Sequence, residues 1–316
     1  MANFINLLAT LVASSQVVLS STEANYFENF SKNLQSLDNK VAEPLGFMPG
    51  AKEVSNIIPG NEKEGKGYAR LAGATYCEND KLVNWECTHC NKVSDRIESI
   101  EVFENEKTET KGYLAVNKDR EEVIVAFRGS SNAENWLLNS KTKLTQIEIN
   151  GKNYYVHTGF KEIIDNILPQ ISQKIDVLLR TYPRYKLLVT GHSLGGAIAT
   201  LASLKLKYEI GLNDNRIKLY TYGAPRVGDP EFARLLNKHR FVSGRFVNEN
   251  DVVPHLPAET KGYNHHHREF WVNGMSTQIC SANELEDHNC SYKEWYHTSS
   301  AAHRIIWDIK LGNDSC

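Results

Sequence analysis

The sequence predicts an α/β fold in which a mostly parallel central sheet is flanked by helices. Three observations indicate this class. The apolar run EVIVAF (Glu122 to Phe127) is rich in β-branched residues, which is typical of a buried strand. Lys161 to Thr181 carries isoleucines near helical spacing, and Tyr185 to Tyr208 has the pattern of a strand, a tight turn and a helix. Strands that alternate with helices favour parallel pairing through right-handed crossovers.

The elements before the tight turn follow from apolar spacing and alternation. The stretch GYARLAGATYC has near-helical spacing, and two alternating stretches follow it. The cluster of Trp136 and leucines among polar residues predicts a short amphipathic helix. In chain order we expect a helical start over 67–77, strands over 97–103, 110–117 and 122–127, the short helix over 131–140, and the long helix over 161–181 with Pro169 inside it.

The elements from the tight turn onward follow the same rules, with glycine and proline marking their ends. We expect a strand over 187–189, a helix from Ala197, a strand over 216–222, a helix over 230–240, a strand over 244–249, a hairpin over 269–278 and an amphipathic segment over 302–311. This order continues the alternation of strand and helix, so the second half of the chain completes the predicted sheet.

The bulk composition is that of an ordinary globular protein. The chain has 316 residues, of which 41% are hydrophobic and 23% charged, and its net charge is −2. The two signs of charge are well mixed and no basic block is present, which argues against a nucleic-acid partner. We expect a single domain over 67–316 and, as an assembly, a monomer.

The first 66 residues have a different character. Residues 1–20 are apolar with small residues near their end, which predicts a secretory signal peptide. They are too short and too often interrupted by polar side chains to predict a transmembrane segment, and no other stretch could span a bilayer. Residues 21–66 are polar and broken by proline and glycine, which predicts a propeptide or an N-terminal arm. The sequence NEKEGKG (61–67) predicts a solvated linker.

The tight turn carries the chemistry. Gly191, Ser193 and Gly195 form a G-x-S-x-G between a strand and a helix, the pattern of a nucleophile elbow. The amides at the start of the helix add a partial positive charge beside the serine. A glycine-rich turn that binds phosphate is the alternative, but the lysine of a P-loop and the G-x-G-x-x-G of a dinucleotide site are both missing here.

An elbow serine requires a base and a carboxylate that orients the base. In folds of this kind the acid and then the base follow the serine along the chain. Asp251 comes directly after a predicted strand and is the favoured acid, with Asp229 and Asp214 as alternatives. Seven histidines follow Asp251; His303 is the favoured base and His297 is its rival.

Histidines and cysteines could also bind metal. His265, His266 and His267 are adjacent, but incidental histidines in a loop or strand start explain them better, so we expect neither a metal nor a cofactor. Six cysteines favour an oxidising compartment and three disulfides. Cys87 and Cys90 form a C-x-x-C without the surroundings of a redox or zinc site. Sequons occur at Asn29, Asn289 and Asn313.

Five motifs, in order, resemble those of the class 3 lipases, the filamentous-fungal type of secreted triacylglycerol lipase. They are VAFRGSS (125–131), VHTGF (156–160), VTGHSLGGA (189–197), YGAPRVGDPEFA (222–233) and NENDVVPHLP (248–257). The resemblance extends from about Gly67 to Cys316. It implies an α/β-hydrolase fold with a short helical lid over the active site.

The resemblance also implies residue roles. Ser193 is then the nucleophile, Asp251 the acid and His303 the base, while Ser130 and the amide of Leu194 form the oxyanion hole. The implied disulfides are Cys77–Cys316, Cys87–Cys90 and Cys280–Cys290. The implied lid lies within 131–140 and comprises Asn132, Ala133, Glu134, Asn135, Trp136, Leu137 and Leu138.

The function so implied is that of a secreted triacylglycerol lipase that acts at the lipid–water interface through an acyl-enzyme on Ser193. Within the same family a feruloyl esterase or a phospholipase is the alternative; the apolar residues of the implied lid favour lipids. A catalytically inactive homologue that binds lipid or cell wall is the remote alternative. The three filled triad positions argue against inactivity.

Overall fold

The centre of the fold is an eight-stranded sheet in which five neighbouring strands are parallel. The computed structural model describes residues 62–130, 142–281 and 285–316. The strand order is β1-β2-β3-β6-β7-β8-β9-β10, with antiparallel pairs at both ends. The sheet strands are β1 (Ile97–Asn105), β2 (Thr110–Asn117), β3 (Glu122–Phe127), β6 (Lys186–His192), β7 (Ile217–Tyr222), β8 (Val242–Asn248), β9 (Glu269–Asn273) and β10 (Ser276–Ile279).

Two small hairpins complete the strands of the described residues: β4 (Leu144–Ile149) with β5 (Lys152–His157), and β11 (Ile305–Ile306) with β12 (Ile309–Lys310). The predicted sheet strands are confirmed, with β2 and β3 at the expected bounds. The strand before the turn is longer than the predicted 187–189 because it continues through Thr190 to His192. The β4–β5 hairpin was not predicted from the sequence.

Helices pack against both faces of the sheet. Alternate residues of one strand contact different layers, because successive side chains point to opposite sides. The described α-helices are α1 (Glu62–Ala74), α2 (Asn79–Val83), α3 (Thr158–Thr181), α4 (Leu194–Ile210) and α5 (Pro230–Lys238). Val123 and Val125 of β3 share a buried cluster with α3 and α4. Ile124 and Ala126 of the same strand belong to a second cluster with α1 and Trp307. No helix in the described ranges is long and apolar enough to cross a membrane.

The first described helix corrects the linker prediction for 61–67, because Glu62 to Gly67 lie within α1. A Cβ on Gly65 would lie only 2.8 Å from the ring of Phe246, so the helix packs directly on β8 there. The Tyr222 hydroxyl donates a 2.6 Å hydrogen bond to the Gly65 carbonyl. Local composition is polar here, and the contacts that stabilise the helix come from distant strands.

Ion pairs fasten α1 to the amino ends of the parallel strands. Lys218, at the start of β7, lies with its Nζ 2.6 Å from Glu64 of α1 and 2.7 Å from Glu122 of β3. Glu122 is fully buried and also accepts a hydrogen bond from the Tyr68 hydroxyl. Burial raises the pKa of Glu122. Burial works against the charge of Lys218 as well, but Glu122 and Glu64 outweigh it and raise the Lys218 pKa. We call Glu64, Tyr68, Glu122 and Lys218 the amino-rim cluster.

All six cysteines are paired, as Cys77–Cys316, Cys87–Cys90 and Cys280–Cys290. These are the pairs that the family resemblance implied. The first pair joins the residues just after α1 to the last residue of the chain, so the C-terminal segment is fixed beside the sheet.

Candidate active site

The turn at Ser193 has the strained backbone of a nucleophile elbow. Ser193 has φ 59° and ψ −130°, a conformation outside the ordinary regions for a residue with a side chain, which costs about 1–3 kcal/mol. A Cβ on Gly191 would lie 2.3 Å from the carbonyl oxygen of Gly195, and a Cβ on Gly195 would lie 2.1 Å from that of Phe127. Both positions of the motif therefore require glycine for steric reasons. Helix α4 starts at Leu194, three residues before the predicted start.

The structure brings His303 and Asp251 together. Nδ1 of His303 lies 2.9 Å from each carboxylate oxygen of Asp251. Because a carboxylate accepts, Nδ1 carries the proton and Nε2 is left with a lone pair. Asp251 is 1% exposed, and its Oδ1 also accepts a hydrogen bond from the Val253 amide. This arrangement holds the imidazole in the tautomer that a general base needs.

Two polar atoms at this site are buried without a hydrogen-bond partner among the residues that the structure describes. They are Oγ of Ser193 and Nε2 of His303. Buried polar atoms are usually paired in folded proteins, and a catalytic role is one explanation for an exception. The two atoms are therefore not hydrogen-bonded to each other in this structure, and each is left open to a substrate.

His192 links the elbow to the base loop. Its ring stacks on the ring of His303 with centroids 4.6 Å apart, and its Nε2 lies 2.9 Å from the His303 carbonyl oxygen. A carbonyl only accepts, so Nε2 is the donor and Nδ1 accepts the 2.7 Å hydrogen bond from the Tyr76 hydroxyl. Burial, and after it the nearby His303, lowers the pKa of His192 well below its usual value. His192, the residue just before Ser193, is therefore a neutral side chain packed against the imidazole of His303.

Tyr76 and His192 were not among the site residues predicted from the sequence. The signal for His192 was its place inside the G-x-S-x-G motif. The sequence carried no signal for Tyr76, because only the fold brings it to His192, which is more than a hundred positions away.

The acid and base loops are joined by hydrogen bonds. Asp251 and Ser299 form an isolated parallel bridge, and the Ser299 amide donates to the Asn250 carbonyl at 2.8 Å. The side chain of Asn248 donates to the Ala302 carbonyl at 3.1 Å. Residues on both sides of Asp251 thus hold the segment that ends at His303.

The rival residues have other contacts. His297 Nε2 lies 2.8 Å from Glu294, and its side chain is 53% exposed. Asp229 caps α5 by accepting from the Phe232 amide at 2.8 Å. Asp214 lies 3.1 Å from both Lys207 and His239. Each alternative is engaged away from Ser193, whereas Asp251 and His303 contact each other.

The three adjacent histidines make local hydrogen bonds. His265 Nε2 donates to the Pro254 carbonyl at 2.9 Å, and His266 Nδ1 lies 3.0 Å from the His267 carbonyl oxygen. Burial lowers the pKa of His266 to about 3 and that of His267 to about 4. Their surroundings are those of neutral packed side chains.

The two residues expected at the oxyanion hole flank Ser193. Leu194 is the first residue of α4, and the first amides of a helix have no partner within it. Ser130 follows Gly129, where a Cβ would lie 2.9 Å from the Cβ of Ser193. The chain at 129–130 therefore passes directly beside the elbow. The expected lid, 132–138, lies outside the described residues.

A cavity of about 660 Å³ opens at this place. Its lining includes Tyr76, Ser130, His192, His303 and Ile305. This volume is in the range that holds a small-molecule substrate.

A comparison with known proteins identifies the family. The family model described as Lipase (class 3) matches residues 124–261. A lipase of Rhizomucor miehei is 33% identical over 251 residues, which are 78% of this chain and 68% of that protein. The chain belongs to the class 3 lipase family.

Two further relatives support membership of this family. The solved structure of lipase II from Rhizopus niveus superposes with a TM-score of 0.73 at 30% identity, covering 79% of this chain and 96% of that one. A secreted mono- and diacylglycerol lipase of Fusarium solani is 33% identical over 212 residues, 66% of this chain and 62% of that protein. The α/β-hydrolase fold predicted from the sequence is confirmed by these likenesses.

Proposed function

We propose that the protein is a carboxylic ester hydrolase that cleaves acylglycerols through an acyl-enzyme on Ser193. The observation that carries the proposal is the His303–Asp251 pair beside the strained elbow. The pair leaves Nε2 of His303 as a proton acceptor, and the ring of His192, the residue just before the nucleophile, stacks on that imidazole. Membership of the class 3 lipase family supports the same chemistry.

The reaction starts when Oγ of Ser193 attacks the ester carbonyl and passes its proton to Nε2 of His303. Asp251 holds the imidazole and stabilises the imidazolium. The tetrahedral oxyanion accepts hydrogen bonds from the Leu194 amide and from Ser130, and each such donor typically lowers the barrier by about 3–4 kcal/mol. His303 then protonates the departing alcohol. Water, activated by the same imidazole, cleaves the acyl-enzyme and restores Ser193.

Acylglycerols are the substrate class that the similar proteins favour, since the Fusarium solani relative carries mono- and diacylglycerol in its name. The apolar residues at 136–138 suit a lid that opens onto lipid. We propose that the enzyme works at the lipid–water interface as a monomer and needs no cofactor.

We propose that the protein is secreted. Residues 1–20 serve as the signal peptide, 21–66 as a propeptide or arm, and the catalytic domain follows. Helix α1 makes Glu62 to Lys66 part of that domain, so the arm ends earlier than the composition suggested. Three disulfides, and exposed sequons at Asn289 and Asn313, support an oxidising compartment.

A substrate series tests the proposal. The purified enzyme is given emulsified long-chain triacylglycerol, emulsified diacylglycerol, a soluble short-chain ester, methyl ferulate and phosphatidylcholine vesicles, with the Ser193→Ala variant as the blank in each arm. We expect the fastest release of acid from an acylglycerol emulsion. Turnover confined to methyl ferulate would make the enzyme a feruloyl esterase, and turnover confined to phosphatidylcholine a phospholipase. Equal rates for the enzyme and its blank in every arm would mean an inactive homologue.

A further inference from the structure

Two adjacent aromatic side chains project into water near the candidate active site. Trp295 is 64% exposed and Tyr296 is 68% exposed, and their ring centroids lie 6.0 Å apart. Large aromatic side chains are usually mostly buried, and a neighbouring exposed pair points to an interaction surface. We call Trp295 and Tyr296 the aromatic turn.

The charged neighbours of the aromatic turn are engaged with the protein. Nζ of Lys293 lies over the ring of Trp271, 4.2 Å from its centroid. Glu294 lies 2.8 Å from Nε2 of His297. The polar residues of this stretch are thus held by intramolecular contacts, while the two apolar rings face outward. In an ordinary solvated loop the charged side chains would face water and the aromatic rings would be packed against the protein.

The aromatic turn is fastened to the acid and base loops. The Asn250 side chain donates a 2.6 Å hydrogen bond to the carbonyl of His297, the residue after the turn. Asn250 precedes Asp251, which itself bridges to Ser299. The rings therefore lie on a segment that is tied to the residue before Asp251 and leads on to His303.

The backbone of the turn is ordered by its own hydrogen bonds. The Trp295 amide donates to the Tyr292 carbonyl and the His297 amide to the Glu294 carbonyl, both at 3.1 Å. An ordered segment loses little conformational entropy when it binds. The turn is therefore preorganised for a surface contact.

An exposed apolar residue also lies at the cavity. Ile305 lines the cavity two residues beyond His303 and is 36% exposed. The apolar surface at the site thus includes residues on both sides of the base along the chain.

We propose that the aromatic turn anchors the enzyme on the surface of a lipid droplet and seats the mouth of the cavity against it. Tryptophan and tyrosine favour the boundary between water and lipid because they combine an apolar ring with a polar group. The choice of a lipid surface as the partner rests on the proposed function, which makes that surface the phase that contains the substrate.

Adsorption is measured first, without catalysis. The Ser193→Ala protein and its Trp295→Ala/Tyr296→Ala derivative are mixed with triolein droplets coated with phosphatidylcholine, and bound protein is separated by flotation. We expect the loss of both rings to lower the partition coefficient at least about tenfold. The matched control is Val177→Ala, which removes a 55% exposed apolar side chain near the end of α3, away from the cavity.

Catalysis is measured second, with Ser193 intact. The rate on emulsified triolein divided by the rate on a soluble short-chain ester falls about tenfold in Trp295→Ala/Tyr296→Ala and stays constant in Val177→Ala. Unchanged adsorption in the double variant overturns the proposal. An equal loss of both rates also overturns it, because the rings would then support the site itself.

A second copy of the chain is the other possible occupant of the aromatic turn. If the enzyme sediments as a dimer, and the double variant sediments as a monomer with unchanged adsorption, the turn is a dimer contact and the proposal is wrong. The proposed anchor and the proposed function can be refuted independently of each other. Droplet binding that depends on the two rings would stand even if the intact enzyme released no fatty acid.

Discussion

The two ends of the parallel strands, which we call the carboxyl rim and the amino rim, differ in how their polar groups are paired. At the carboxyl rim Ser193 is strained, and two buried polar atoms have no partner among the described residues. At the amino rim the amino-rim cluster buries charges and pairs them, with Lys218 between Glu64 and Glu122. The comparison separates two uses of buried polar groups: at Ser193 and His303 the unpaired atoms face a substrate site, whereas Lys218, Glu64 and Glu122 attach α1 to the sheet. Three predictions test that division and a fourth concerns a residue outside both rims; they run from the largest effect to the smallest.

The largest effect is expected at the carboxyl rim. Ser193→Ala or His303→Ala lowers kcat for a soluble ester by about four to six orders of magnitude, because each removes an atom that bonds to or exchanges a proton with the substrate. The circular dichroism spectrum stays unchanged. His297→Ala is the control and retains activity; an inactive His297→Ala beside an active His303→Ala would reverse the assignment of the base.

The amino rim should show the opposite response. Lys218→Met removes the counter-charge of a fully buried carboxylate, so the free energy of unfolding falls by about 3–5 kcal/mol in a urea titration. The kcat of the protein that remains folded changes less than about twofold. Lys205→Met serves as control, since its pair with Glu209 lies on the helix surface and contributes about 0.5 kcal/mol or less. Equal losses in the two variants would contradict a special role for the cluster.

Buried imidazoles add a pH dependence that belongs to neither rim. Burial lowers the pKa of His157 to about 4, from an ordinary value near 6.5. Below pH 6.5 the unfolded chain binds this proton and the native state does not, so stability is complete above pH 6.5 and declines as the pH falls toward 4. His157 Nδ1 also accepts from the Gly159 amide, a cap that asparagine can replace.

The variant His157→Asn should therefore weaken the acid sensitivity. Between pH 6 and 4.5 the slope of the unfolding free energy against pH decreases by about 1.4 kcal/mol per pH unit. Urea titrations at several pH values measure the slope. A variant slope equal to that of the parent would mean that His157 is protonated in the native state as readily as in the unfolded chain.

The smallest effect returns to the carboxyl rim. Tyr76→Phe removes the hydrogen bond to His192 and leaves a buried acceptor without a donor, which lowers kcat by about tenfold if the stacked ring of His192 positions His303. KM for a short soluble ester stays within about twofold. A rise in KM with unchanged kcat would instead assign Tyr76 to substrate binding.

Most of the carboxyl rim could be predicted from the sequence. The strand, the elbow glycines and the helix are local patterns, and Asp251 and His303, chosen among several candidates with the help of the family resemblance, contact each other in the structure. Local sequence patterns could not predict the contacts of the amino-rim cluster. Glu64 and Lys218 are 154 residues apart, and the polar run around Glu64 has the composition of a linker until β3 and β7 are beside it. The contacts of Tyr76 with His192 were missed for the same reason.

Covalent labelling with a lipid-like organophosphonate tests the central claim most directly, because such a reagent reacts with an activated serine. We expect mass spectrometry to place one phosphonyl group on Ser193, and the labelling rate to fall at least about a thousandfold in His303→Ala while His297→Ala labels like the parent. Labelling at another residue, or an undiminished rate in His303→Ala, would contradict the account.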